Sequence, residues 1–159
     1  MKLTQEQVKD FLPHREPFLF VDTVESIELP EGVTKPKSSK ELVGTIVKSK
    51  FKVTDKLEIL KGHFPGNPIL PGVVQIEMMA QTASFGIFYL LEDPFNCDLE
   101  VALLSCSNAK FRKPVKPGMD LEIHAQMTQA RGLTFSYQCK ILSGDELISE
   151  TEILAWAKH

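Results

Sequence analysis

Cysteine is scarce and badly placed for cross-linking. Cys97, Cys106 and Cys139 are odd in number and far apart, which argues against a disulfide framework, and they lack metal-ligand spacing. A dominant charge sign is missing too. The 18 basic and 21 acidic side chains nearly cancel, which speaks against nucleic acid or an anionic membrane as the main partner, because both select for a positive excess. The most apolar helix-like stretch, Val73 to Leu91, is interrupted by Gln75, Glu77, Gln81, Thr82 and Ser84, so it reads as a core helix and not as a membrane span. No charged-then-apolar leader, internal repeat or low-complexity segment is visible. Cofactor motifs are missing as well: there is no GxGxxG, phosphate loop or HExxH. These absences point to a reduced, cytoplasmic setting and to chemistry without metal or redox cofactor. What remains is 159 residues, 43% of them apolar, enough to close the core of one domain over residues 1–159.

Read along the chain, Thr4 with Gln7 is a capping-box pattern opening a short helix that carries Val8, Phe11 and Leu12 before Pro13 stops it. Phe18 to Leu29 is rich in β-formers, and Pro30 to Glu41 has the composition of a solvated loop. In Thr45 to Thr54, Lys48, Lys50 and Lys52 alternate with Val47, Phe51 and Val53, the pattern of a strand with one wet face. A Gly- and Pro-dense loop, Gly62 to Gly72, precedes some twenty residues whose apolar positions surround the helix circumference. Strand-like runs follow at Leu99 to Phe111, Met119 to Ala130, Leu133 to Leu142 and Glu146 to Ala157. They are joined by Lys116-Pro117-Gly118, Arg131-Gly132 and Ser143-Gly144-Asp145, the residues tight turns require. An α+β fold accounts for this: about six antiparallel strands in a curved sheet wrapped around one long helix, because only such a wrap buries a helix that is apolar all round in so short a chain.

The chemistry concentrates between Gly62 and Gln81. Three prolines and three glycines within Gly62-His63-Phe64-Pro65-Gly66-Asn67-Pro68-Ile69-Leu70-Pro71-Gly72 hold the backbone in one path, and His63 is the titratable side chain on it. Pro71 and Gly72 open the helix, where unpaired N–H groups and the positive dipole end suit a carbonyl oxygen gaining negative charge. Glu77 and Gln81 follow four residues apart on one face. A protonated carboxylic acid beside a histidine is the minimum equipment for taking one proton off and putting another on. On spacing alone His63 reads equally as a loop histidine bonded to backbone, and Glu77 as an exposed position or one arm of a buried ion pair. Gln81 reads as a structural partner. His124 shares a strand face with Glu122 and Gln126 and reads as solvated, whereas His14 and His159 have no partner at metal-ligand spacing.

With these residues in view, the chain resembles the (3R)-hydroxyacyl-acyl carrier protein dehydratases of type II fatty acid synthesis, which have the hotdog fold. The resemblance rests on Leu12-Pro13-His14-Arg15 with Pro17-Phe18-Leu19 and Val21-Asp22, on Gly62-His63-Phe64-Pro65-Gly66, on Pro71-Gly72, Glu77 and Ala80-Gln81, and on Ala109-Lys110-Phe111-Arg112 with Lys113-Pro114-Val115 and Pro117-Gly118. It implies that His63 and Glu77 are catalytic and that Gly72, Phe64, Pro71 and Gln81 contact substrate, the Gly72 N–H holding the thioester carbonyl. It also implies a homodimer whose sites pair His63 of one chain with Glu77 of the other, and a trimer of dimers as a common assembly. Glu77, where a related double-bond-isomerising branch has Asp, favours the plain dehydratase. No cofactor is implied beyond the phosphopantetheine arm of acyl carrier protein, which carries the substrate. Because that carrier is acidic, Lys110, Arg112, Lys113 and Lys116 are the candidates for docking it, against the alternative of a solvated face. The rival functions are a hotdog acyl thioesterase and a non-catalytic acyl-chain-binding module.

Overall fold

The computed structural model describes residues 1–158; His159, read above as unpartnered, lies outside them. The chain opens with helix α1 (Gln5–Phe11), whose capping box is formed by Thr4 and Gln7 in both directions. Strands β1 (Thr23–Glu28) and β2 (Ile46–Lys52) follow. A short helix α2 (Ile59–Gly62) leads into the Gly- and Pro-dense loop, and helix α3 spans Gly72–Ser84. Four long strands complete the chain: β3 (Glu100–Phe111), β4 (Asp120–Arg131), β5 (Thr134–Ser143) and β6 (Glu146–Lys158).

All five strand pairings are antiparallel, in the order β1-β2-β4-β5-β6-β3. The inner face of this sheet packs on α3, which touches β2, β3, β4, β5 and β6. Alternation decides which residues face the helix: Val47, Ser49 and Phe51 of β2, Ile123, Ala125 and Met127 of β4, and Phe135, Tyr137, Cys139 and Ile141 of β5 are buried. Lys48, Lys50 and Lys52 face outward and pair with Glu28, Glu25 and Asp120, which makes them the wet face their spacing predicts. The buried apolar residues form one contiguous cluster, with Met78 and Met79 of α3 fully enclosed.

Four expectations need correction. The α-helical part of α3 ends at Ser84, and Phe85–Leu90 continues as a tighter 3-10 turn. The strand expected from Phe18 starts only at Thr23, because Phe18 and Phe20 give their backbone groups to Gln81 and not to a neighbouring strand. Nor is α3 enclosed on every side within one chain. Val73 is 73% exposed, and Glu77, Ala80 and Ser84, at helical spacing from it, are only partly covered. His124, read as solvated, is largely shielded and bonded to Glu122.

Candidate active site

His63 terminates α2, and its ring is oriented by the loop that follows. Nδ1 lies 2.7 Å from the carbonyl oxygen of Ile69. A carbonyl oxygen can only accept, so Nδ1 carries the hydrogen and Nε2 of the neutral ring is left with its lone pair, the form a base requires. The loop is closed by reciprocal backbone bonds between Phe64 and Asn67 of 2.9 and 2.8 Å, and by Ile69 N–H to the His63 carbonyl at 2.8 Å. Gly66 supplies the positive φ of 75° that this turn needs. Leu70 N–H then bonds to the Val115 carbonyl at 2.8 Å, tying the loop to the segment after β3. The Phe64 ring stacks on His63 with centroids 4.0 Å apart and is 51% exposed.

Pro71 caps α3 and Gly72 is its first residue, so the Gly72 N–H has no intrahelical acceptor. A Cβ at Gly72 would lie 2.8 Å from the Phe111 ring. Glycine therefore lets β3 come against the helix start. Farther along, Glu77 and Gln81 are joined by a 2.9 Å hydrogen bond from Gln81 Nε2 to Glu77 Oε1. Gln81 is itself almost fully buried; it accepts from Phe20 N–H at 2.8 Å and donates to the Phe18 carbonyl at 2.8 Å. Its side-chain bonds thus go to Glu77 and to the backbone of Phe18 and Phe20. His14, to which sequence reasoning assigned no role, places Nε2 3.3 Å from Glu77 Oε1. The signal that could have found it was its place in the Leu12-Pro13-His14-Arg15 motif.

Glu77, His14 and Gln81 line a cavity of about 260 Å³ whose far wall is Val101, Ala102 and Leu103 of β3. No wall of this cavity comes from the 62–72 loop. One chain thus brings Glu77, Gln81 and His14 together and leaves His63, Phe64 and Gly72 outside that group. A larger hollow of about 690 Å³ lies on the outer face of the sheet, lined by Lys48, His124, Lys140 and Lys110 among others, and holds neither His63 nor Glu77. The basic candidates are dispersed: Arg112 pairs with Glu150 at 3.0 Å, Lys113 pairs with Glu146, and Lys110 turns to the outer hollow. Lys116 is exposed.

A family model of the ApeI dehydratase, ApeI-like, matches residues 38–150. Among curated proteins, the chain is 38% identical over 150 residues to the 3-hydroxyacyl-[acyl-carrier-protein] dehydratase FabZ of Erythrobacter litoralis, covering 94% of this chain and 89% of that one. It is 36% identical over 152 residues to the FabZ dehydratase of Campylobacter fetus, covering 94% and 93%. Among solved structures, the dehydratase heterocomplex ApeI:P from Xenorhabdus doucetiae superposes with a TM-score of 0.70 at 16% identity, over 96% of this chain and 91% of that one. The fluoroacetyl-CoA-specific thioesterase FlK superposes with a TM-score of 0.60 at 14% identity, over 74% and 87%. The structural likenesses establish the hotdog fold, which dehydratases and thioesterases share, and the sequence relatives separate the two. The chain belongs to the ApeI-like dehydratase family, as a relative of the FabZ 3-hydroxyacyl-[acyl-carrier-protein] dehydratases.

Proposed function

We propose that this protein removes water from (3R)-3-hydroxyacyl chains carried on acyl carrier protein, giving the trans-2-enoyl thioester in fatty acid biosynthesis. The observation that carries the proposal is its relation over nearly the whole chain to curated 3-hydroxyacyl-[acyl-carrier-protein] dehydratases. The geometry is compatible with the chemistry. His63 Nε2, left unprotonated by the Nδ1 bond to Ile69, takes the proton from C2, next to the thioester carbonyl. Negative charge develops on that carbonyl oxygen, and the Gly72 N–H at the positive end of α3 stabilises it. As the C3–O bond breaks, Glu77 in its acid form protonates the departing hydroxyl, and water leaves. The two C–H bond electrons become the C2=C3 bond, and the proton held by His63 returns to Glu77 through solvent. No step in this scheme calls for a metal or a redox cofactor.

The site is complete only in a homodimer, with His63 of one chain facing Glu77 of the other. Two features support this. The least-covered face of α3 is the one bearing Val73, Glu77, Ala80 and Ser84. The edge strand β3, paired with β6 alone among the described residues, exposes Leu103 at the Glu77 cavity, Leu104 next to it in sequence and Phe111 against Gly72. An apolar, unpaired edge of this length invites pairing with a second copy. Assembly as a trimer of dimers, docking of the acidic carrier at Lys110, Arg112, Lys113 and Lys116, substrate contacts from Phe64, Pro71 and Gln81, and a cytoplasmic location belong to the same reading.

The test is mass spectrometry of a 3-hydroxyacyl-acyl carrier protein incubated with wild type, His63→Ala or Glu77→Gln. Loss of one water by the wild type, and at least about a hundredfold slower loss by each variant, is expected. Release of free carrier thiol would replace dehydration by hydrolysis, and acyl-chain retention without product would indicate a binding module.

A further inference from the structure

His14 takes no part in the scheme above, yet its ring is set against the acid of that scheme. The turn after α1 holds it there: Arg15 Nη1 donates to the carbonyls of Leu12 and His14 at 2.8 and 2.7 Å, and Phe18 N–H bonds to the Arg15 carbonyl at 2.8 Å. The side chains of His14 and Glu77 are each only 19% exposed. Nε2 faces Glu77 Oε1 at 3.3 Å, whereas Nδ1 is buried and has no partner among the described residues. A hydrogen on Nδ1 would be a buried donor without an acceptor, which costs more than a buried lone pair left unmade. The ring hydrogen therefore belongs on Nε2, the nitrogen that lies 3.3 Å from Glu77 Oε1.

Gln81 approaches the same carboxyl oxygen, and its orientation is not free. Phe20 N–H can only donate, so Gln81 must turn its oxygen there, which commits the amino group to the Phe18 carbonyl and to Glu77 Oε1. Gln81 donates to Oε1 and His14 Nε2 stands 3.3 Å from the same oxygen, which leaves Oε2 as the oxygen open to carry a transferable proton. We propose that His14 is a positioning residue for Glu77: with Gln81 it commits Oε1 to accepting hydrogen bonds, so that the proton given to the leaving hydroxyl is carried by Oε2. This rests on the dehydratase reading above. When Oε2 releases its proton to the departing oxygen, the carboxylate left behind keeps both donors. Hydrogen bonds to a charged acceptor are stronger than those to a neutral one, so His14 assists most as the proton leaves. The motif that carries His14 thus supplies the helix acid with an orienting donor from the turn after α1.

The experiment compares steady-state kinetics of His14→Ala and His14→Gln on 3-hydroxyacyl-acyl carrier protein, with ¹⁵N NMR of histidine-labelled wild type and Glu77→Gln. His14→Ala is expected to lower kcat about tenfold to a hundredfold while KM stays within about twofold, the pattern of a misplaced group felt in the transition state. Glutamine offers an amide donor near the Nε2 position, so His14→Gln should recover most of the lost kcat. The NMR spectra should show the His14 ring protonated on Nε2 alone at pH 7.5, with the Nε2 signal moving in Glu77→Gln. An unchanged kcat in His14→Ala, a His14→Gln variant as slow as His14→Ala, or a ring protonated on Nδ1 would overturn the proposal. The NMR arm does not depend on turnover, so a wild type without dehydratase activity would end the functional reading while the His14–Glu77 contact was still decided.

Discussion

Asp22 is a carboxylate placed against its own charge. Burial raises its pKa above the ordinary 3.8, partly offset by the Lys52 N–H that bonds to Oδ2 at 2.7 Å. A raised folded-state value means that folding disfavours the ionised form. The penalty is absent below the unfolded value, grows as pH rises through the window between the unfolded and folded values, and is fully present above it. In Asp22→Asn the charge goes while an amide oxygen still accepts from Lys52. Scanning calorimetry should show a Tm at pH 7 at least equal to wild type and up to about 4 °C higher, the gain fading toward pH 3; a lower Tm at pH 7 would mean that the carboxylate charge itself holds the turn. At this scale the candidate site was legible from the family-like motifs that hold His63 and Glu77, since spacing alone left a structural reading of each equally open. His63 stood out on a rigid loop and Glu77 on a helix, but the bond to Ile69 that leaves Nε2 free joins positions six apart in an irregular turn, and no periodicity encodes it.

Among the elements, the end of α3 carries the sharpest packing constraint. The α-helix gives way at Phe85, whose ring stacks on Phe11 with centroids 4.6 Å apart, and the next residue, Gly86, lies against Tyr137 of β5. A Cβ at Gly86 would come within 2.6 Å of the Tyr137 hydroxyl and 2.9 Å of its ring, and Tyr137 is itself buried with no room to retreat. Gly86→Ala should therefore cost about 1–3 kcal/mol, read as a lower urea midpoint with an unchanged m-value; a midpoint within error of wild type would mean that the 3-10 turn shifts freely. Gly72→Ala meets a softer neighbour, because Phe111 is 48% exposed and can swing away. Strand alternation and turn residues predicted β2, β4 and β5, whose burial follows the period of two, whereas β3 is exposed along nearly its whole length and β6 breaks the alternation. The switch from α to 3-10 was not predictable, since neither proline nor a capping pattern marks it. It follows from Phe11 and Tyr137, which are distant in sequence.

For the whole molecule, the decisive prediction concerns shared sites. If each site takes His63 from one chain and Glu77 from the other, a heterodimer of His63→Ala with Glu77→Gln has one site with both groups intact and one with neither. Mixing the two inactive variants in equal amounts under subunit exchange should restore roughly a quarter of wild-type activity; no recovery despite demonstrated exchange would place both groups of a site in one chain. The sequence by itself determined the class of fold and most of the strands, and it singled out His63 and Glu77 as candidates, because hydrophobic period, turn chemistry and rare residue types are local properties. Only the tertiary structure decided that Glu77 lies with His14 and Gln81 and apart from His63, and that one helix face and the β3 edge stay uncovered. Those facts depend on how a sheet of order β1-β2-β4-β5-β6-β3 curls around α3, and curvature places residues sixty positions apart, such as Phe20 and Gln81, within a hydrogen bond that no local pattern encodes.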